Sequence, residues 1–329
     1  MSKRRPYSRM TGVIFWACLG IFSACAHADD LEDYPDQSIR IVVPFPPGGS
    51  TDSIARILAE GMSRELGTPV YIDNRPGAST NIGSESVVKA RPDGYTLLMG
   101  GSTSIANTIF GPKPNFEPRE ALAPISTVAE VSFVLATNPD APFTKPSEFL
   151  DAVRSEPGKF SVASAQLDTY VEHLKLAASV DILHVPYKGG AYAVTDVMSG
   201  QVDSAFALVP VLLPQIKAGK LRAIAVSSSK RLSMTLPDVP TFAESGVDFV
   251  STIWYGLQAP AGLIPERMNK LNKAVRSVVD APDFAGRLAE LGASAGGSSA
   301  AAMTQLLDRQ QSAWQELARK YPELLQAGK

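Results

Sequence analysis

The stretch VVPFPPGGSTD, residues 42–52, decides how this chain is read. β-Branched residues crowd the segment before it, so residues 37–45 are expected to form a strand. After it, in SIARILAEGMSREL (53–66), Ile54, Ile57, Leu58 and Met62 recur near helical spacing, Leu66 follows a turn later, and Gly67 ends the helix. The glycines between strand and helix need a purpose. A phosphate loop requires G-x-x-x-x-G-K-[ST], but Gly48-Gly49 is followed by Ser50-Thr51 with no lysine, and no G-x-G-x-x-G fingerprint occurs. Two readings remain: a plain strand-to-helix connection, or an anion socket built from backbone. Gly48 and Gly49 let the main chain approach a ligand closely. Ser50 or Thr51 is placed to cap the helix. The first helical N–H groups lack internal partners and carry the positive end of the helix dipole. A carboxylate fits such a site without an arginine. Pro44, Pro46 and Pro47 stiffen the entrance. Asp52 is awkward beside an anion, and in the first turn it favours the dipole and orders loop N–H groups.

The 329 residues suit two domains, and 45% hydrophobic with 19% charged residues is an ordinary globular composition. The start is different. Lys3, Arg4, Arg5 and Arg9 precede the apolar run TGVIFWACLGIFSA, then Ala26-His27-Ala28. That is a secretory signal peptide over residues 1–28, cleaved after Ala28. The alternatives are a membrane anchor, for which the run falls short of the roughly 18–20 apolar residues needed, and lipidation at Cys25. Both cysteines, Cys18 and Cys25, leave with the leader, so the mature chain has no disulfide and no thiolate metal site. The leader also removes four positive charges, taking the formal net charge from −2 to −6. No basic stripe with interleaved aromatics remains, which excludes nucleic acid as the expected partner. The expected location is the periplasm.

Along the mature chain, strands are expected at 37–45, 69–75 and 96–102, with helices at 53–66 and 81–89. The grammar repeats: strands at 159–164, 181–187 and 201–209, helices at 168–178 and 193–200. Strand, helix, strand with Gly-rich turns reads as a parallel α/β sheet, so two similar lobes are expected. SFVLATNPDAPF (132–143) and TIWYGLQAPAG (252–262) are strands with a proline stop, fit for two crossings between lobes. LRAIAVSS (221–228) is a further strand. Amphipathic helices are expected at 265–279 and 300–320, with GASAGGSS (292–299) as a flexible joint. The expected division is lobe 1 over 35–130 and 252–329, and lobe 2 over 131–251. Ligands of open α/β sheets sit beyond the carboxyl ends of the strands, so the lobes would share one cleft.

Nothing points to catalysis. There is no G-x-S-x-G elbow. Ser86-x-x-Lys89 and Ser227-x-x-Lys230 lack the companion motifs of a serine acyltransferase. The mature chain has two histidines, His173 in a helix and His184 in a strand, without metal-ligand spacing. No metal and no cofactor are expected.

Six motifs then occur in order: IRIVVPFPPGGSTDSIAR, YIDNRPGASTNIGSE, RPDGYTLLMGGS, HVPYKGGA, GQVD and LPDVPTFAESG. Together they resemble the Bug family, the periplasmic solute receptors of tripartite tricarboxylate transporters, over residues 35 to 325. The resemblance implies a type II-like periplasmic-binding-protein fold: two similar lobes with parallel or mixed sheets around a central ligand cleft. It implies a small organic acid as ligand, membrane transporter subunits as partners, and a monomer. Carried over from the family, the near lobe offers Phe45, Gly48, Gly49, Ser50, Thr51, Asp52, Gly77, Ala78, Thr80, Asn81, Ser102 and Thr103. The far lobe offers Ser164, Ala165, Gln166, Tyr187, Lys188, Gly189 and Asp203. The far lobe departs from the family pattern Ser-x-Gly-x-Gly-Ser/Thr before His-Leu. Here residues 164–174 read SAQLDTYVEHL, without the glycines or their small hydroxyl. Gln166, Asp168 and Tyr170 are bulkier, so one carboxylate in the near turn and a different distal group are expected. A periplasmic sensor using the same cleft is the second reading, and an exported hydrolase the third.

Overall fold

The computed structural model describes residues 34–111, 113–165, 168–187 and 190–327; the leader and its cleavage site lie outside them. In lobe 1, β1 (Ile39–Val43), β2 (Val70–Asn74) and β3 (Thr96–Gly101) alternate with α1 (Ser50–Leu66) and α2 (Asn81–Val88), and α3 (Ser102–Phe110) follows. α1 carries Asp52 in its first turn and Arg64 in its last, both favourable to the dipole, and stops where Gly67 turns left-handed at φ 67. A short α4 (Pro118–Ala121) leads into β4 (Leu122–Thr137), the longest strand at 16 residues.

The second lobe holds α5 (Pro146–Ser155), β5 (Ser161–Ala165), α6 (Asp168–Ala178), β6 (Leu183–Tyr187), α7 (Gly190–Met198), β7 (Ser204–Leu208), α8 (Val209–Lys217) and β8 (Arg222–Val226). The chain returns through β9 (Thr252–Pro260) to α9 (Pro265–Val279), α10 (Pro282–Glu290), β10 (Ser294–Ala295), α11 (Ala300–Lys320) and α12 (Leu324–Ala327).

The strand order is β2-β1-β3-β9-β4-β7-β5-β6, with β8 and β10 also paired to β4. β1 runs parallel to β2 and β3, and β5 parallel to β6 and β7, whereas β9 is antiparallel to both β3 and β4. β4 belongs to both lobes. Up to Ser132 it pairs with β9; from Phe133 it pairs with β7 and β8. Three crossing segments are knotted at that point. The Phe133 N–H donates to Ser227 Oγ at 2.8 Å and the Ser227 N–H returns to the Phe133 carbonyl at 3.0 Å. Ser251 N–H donates to the Ser227 carbonyl at 2.9 Å, and Ser227 Oγ donates to the Ser251 carbonyl.

Residues 292–299 correct the sequence reading. They are not a flexible joint. Ser294 and Ala295 pair with Glu130 and Ala129 of β4, Gly296 N–H donates to the Val128 carbonyl, and Ser298 N–H donates to Ser126 Oγ. Gly/Ser composition hides these bonds because every partner is more than 160 residues away in sequence.

The C-terminal helices span the lobes. α11 packs on α3 and β4, and α12 on α3 and α6. Trp314 of α11 lies edge-on to Phe110 of lobe 1 at 5.4 Å and to Tyr170 of lobe 2 at 5.4 Å.

Candidate functional site

The parallel strands of each lobe end at the lobe junction, and the expected ligand residues are best judged by which strand ends they occupy. The first turn, after β1, is held by Asp52. Its carboxylate is buried and accepts from the Gly48 N–H, from Arg56 Nε and from Asn74 Nδ2, each at 2.9 Å. Burial pushes this carboxyl up, but the bonds from Arg56, Gly48 and Asn74 prevail and hold it below its ordinary value. Asn74 also donates to the Phe45 carbonyl at 3.2 Å, tying the turn to the end of β2. Asp52 therefore braces the turn through Gly48, Arg56 and Asn74. Gly48 has φ +88, a conformation that favours glycine.

The cap differs from expectation. Gly49 is the N-cap of α1, and no side chain caps it, so neither Ser50 nor Thr51 plays that part. The first intrahelical bond is Ser53 N–H to the Gly49 carbonyl. The N–H groups of Ser50, Thr51 and Asp52 precede it in the helix and have no intrahelical acceptor. Thr51 is buried, with its side chain beside the Tyr255 hydroxyl of β9.

The second turn, after β2, is strained. Gly77 has φ 129, and Ala78, Ser79 and Thr80 have φ 46, 51 and 81. Three consecutive non-glycine residues in the left-handed region cost about 1–3 kcal/mol each. Asn107 of α3 donates to the Ser79 carbonyl and helps hold the loop. Thr80 Oγ1 is buried and without a partner, and Asn81 opens α2. At the third turn, Gly101 caps α3. Ser102 Oγ, fully buried, accepts from the Trp254 N–H at 2.9 Å. Thr103 follows in the first turn of α3. Phe45, Gly48–Asp52, Gly77–Asn81 and Ser102–Thr103 thus gather at the carboxyl ends of β1, β2 and β3.

In the far lobe, Ser164 and Ala165 end β5, and Tyr187 ends β6. Gln166, Lys188 and Gly189 lie outside the described residues. Ser164 Oγ is hydrogen-bonded to His184 Nε2 at 2.8 Å, and His184 Nδ1 lies 3.7 Å from Asp168. The residue types are those of a hydrolase triad. Ser164, however, is 1% exposed, so its hydroxyl is closed to a substrate carbonyl. Tyr187 donates to Asp196 Oδ2 at 2.5 Å, which pushes the phenol up to about 12.

Asp203 is not brought to this group. Its carboxylate accepts from the Ser161 N–H at 2.8 Å and from Ser161 Oγ at 2.6 Å. Ser161 starts β5, and Asp203 precedes β7, so this pair ties the amino ends of parallel strands. Ser164, Ala165 and Tyr187 lie at the opposite, carboxyl ends. The two Ser-x-x-Lys matches are also structural: Ser86 donates to the Gly83 carbonyl, Lys89 pairs with Glu85, and Ser227 belongs to the lobe crossing.

Sequence reasoning missed Asn74 as a brace and Tyr255 as the neighbour of Thr51. Asn74 carries a signal in retrospect, a polar residue closing the strand next to β1. Tyr255 carries none, because Thr51 is remote from it in sequence.

A family model described as the tripartite tricarboxylate transporter family receptor covers residues 54–322. The chain belongs to this receptor family. Protein BugT of Bordetella pertussis is 36% identical over 275 residues, 80% of this chain and 83% of BugT. Among solved structures, R. palustris Rpa4515 with adipate is 29% identical at TM-score 0.75, covering 87% of this receptor and 98% of that chain. MatC from Rhodopseudomonas palustris with bound malate is 31% identical at TM-score 0.71, covering 86% and 99%. The receptor is thus of the Bug type, and its α/β fold is that of periplasmic binding proteins. Among the described residues no group of three His, Cys, Asp or Glu side chains is placed to hold a metal, and no helix is long and apolar enough to cross a membrane.

Proposed function

We propose that this receptor binds a small organic acid between its lobes and delivers it to the membrane subunits of a tripartite transporter. The observation that carries the reading is the first turn. Asp52 and Asn74 fix its main chain, and the N–H groups of Ser50, Thr51 and Asp52 are left at the positive end of a 17-residue helix. The adipate held by Rpa4515 and the malate bound to MatC support an acid as ligand.

The ligand residues of this reading are those at the strand ends: Phe45, Gly48, Gly49, Ser50 and Thr51, with Asp52 as the brace; Gly77, Ala78, Thr80 and Asn81; Ser102 and Thr103; and Ser164, Ala165, Gln166, Tyr187, Lys188 and Gly189 across the cleft. The lobes divide within β4, close to its crossing, as 35–130 with 252–329 and 131–251. The chain is exported to the periplasm, loses residues 1–28, and works as a monomer. It has no catalytic step, a reading supported by the buried Ser164 hydroxyl.

Thermal unfolding of the mature chain, residues 29–329, against a panel of carboxylic acids tests the reading. A ligand at a hundred times its dissociation constant adds about 2.7 kcal/mol. A selective rise in Tm supports it. No rise, before and after denaturing and refolding to strip carried-over ligand, refutes it.

A further inference from the structure

A cavity of about 310 Å³ opens where the loop after β8 faces the corner between α10 and β10. Small-molecule pockets begin at about 300 Å³. None of the residues proposed to hold the acid lines it. Ser228, Ser229, Lys230 and Arg231 form one wall, on the lobe 2 side of the crossing. Ala285, Ala289, Ala293 and Ala295 form the other, on the lobe 1 side. The two walls touch at Thr235, whose hydroxyl donates to the Ala289 carbonyl at 3.3 Å.

The first wall is rich in donors without acceptors. Ser228 is 8% exposed, and its Oγ is buried with no hydrogen-bond partner. A buried hydroxyl left unpaired is costly, so this one calls for a partner. The N–H groups of Ser228, Ser229, Lys230 and Arg231 donate to no other described residue. Successive N–H groups left free on a bend are a common seat for an oxyanion. The Lys230 ammonium also has no ionic partner among the described residues.

Arg231 is positioned by LPDVPTFAESG (236–246), a motif with no part in the acid site. Glu244 accepts from Arg231 Nε at 2.9 Å and from the Thr241 N–H at 2.8 Å, and its own N–H donates to Thr241 Oγ1 at 3.0 Å. Glu244 engages the guanidinium through Nε, which leaves the two terminal nitrogens without an acceptor among the described residues. Glu130 of β4 is the one carboxylate among the lining residues, and Lys230 and Arg231 outnumber it.

We propose that this cavity is a second binding site, for a small oxyanion: phosphate, sulfate or a carboxylate. The Ser228 hydroxyl, the main-chain N–H groups of 228–231 and the heads of Lys230 and Arg231 hold it. Both lobes line the cavity, so the bound anion bridges them. The site goes beyond the receptor reading and does not depend on it.

The test is an NMR titration of the mature chain, residues 29–329, with carbon-13-labelled alanine methyls and with inorganic phosphate, sulfate and succinate as probes. Saturable shifts are expected at Ala285, Ala289, Ala293 and Ala295. Ala55 of α1 and Ala78 of the second turn report the acid site separately. Ser228→Ala is expected to weaken the tightest probe about ten-fold, the effect of one hydrogen bond to a charged group. Lys230→Gln is expected to weaken it about three-fold, as suits an exposed charge. Without anion, Ser228→Ala should leave Tm unchanged or raised, because it removes a hydroxyl that has no partner; a hydroxyl with only a packing role would lower it. The probe that binds tightest assigns the source, phosphate or sulfate an inorganic anion and succinate an organic acid. No saturable shift with any probe, shifts confined to Ala55 and Ala78, an affinity unchanged by Ser228→Ala, or a lowered Tm in that variant overturns the proposal and leaves the receptor reading intact.

Discussion

The Asp52 carboxylate accepts a hydrogen bond from the Gly48 N–H at 2.9 Å, so a residue on α1 reaches back and fixes the turn that precedes it. Arg56 and Asn74 complete the arrangement. The turn is therefore shaped before any ligand arrives, which lowers the entropy cost of binding.

Replacing Asp52 tests this. Asp52→Ala removes a buried acceptor of three hydrogen bonds and is expected to destabilise the fold by about 1–3 kcal/mol. It should weaken acid binding as well, although it adds no repulsion. Chemical denaturation and titration on one sample check both.

The same carboxyl gives a pH signature. Its folded value lies below the ordinary 3.8, so its stabilisation is fully present above that value and is lost as pH falls through the depressed one. Asp52→Asn should remove that acid-side slope, read from unfolding midpoints between about pH 5 and pH 2.

His184 gives a second slope at higher pH. Burial is the main cause holding its imidazole below 6.5, opposed by Asp168 and Glu172 and aided by Lys175. The folded state binds this proton less readily than the unfolded chain. Stability should thus be highest above 6.5 and decline as pH falls through the depressed value. His184→Gln should flatten the decline in a series of thermal melts; an unchanged profile would assign it to His173, which burial also lowers.

At the lobe crossing, Ser227→Ala takes the acceptor from the buried Phe133 N–H and the donor from the Ser251 carbonyl. A loss of about 1–3 kcal/mol is expected, together with a changed balance of open and closed lobes. Small-angle scattering with and without ligand reads the second effect.

Gly83→Ala probes how tightly α2 seats against the first two turns. An added Cβ would lie 2.8 Å from the Arg75 carbonyl oxygen and 2.8 Å from the Pro44 Cβ. Backbone and a proline ring yield little, so overpacking of about 1–3 kcal/mol is expected. Ligand affinity should fall with it, because Pro44 opens the turn proposed to hold the acid.

Helices were the most legible elements, because their periodicity is local. Residues 168–178, 265–279 and 300–320 are helical as their spacing predicts. β4 starts ten residues before the expected 132. Pro124 conceals that start, and the strand accommodates it where its register with β9 shifts between Pro124 and Ser126. The helices α3, α5, α8 and α10 had no expected counterpart; three of them have proline at the first turn, which reads as a turn as easily as a helix start. For the site, the glycine turn could be read directly. Its braces could not, since Asn74, Tyr255 and Trp254 meet it only after the sheet has formed. The motif GQVD showed a recurring aspartate but not which end of the sheet Asp203 occupies, and strand polarity places it at the amino end.

Because one unbroken strand serves both sheets, the lobes are not exchangeable modules. A chimaera that grafts another receptor's specificity lobe cannot be joined in a loop on this side. It must be spliced inside β4, between Ser132 and Phe133, with the alternation of side chains kept in phase. A one-residue error there would turn Phe133 and Leu135 out of one core and Val134 and Ala136 out of the other. Variation in what these receptors carry is therefore expected to accumulate by point changes and loop-length changes at the strand ends rather than by recombination of whole lobes.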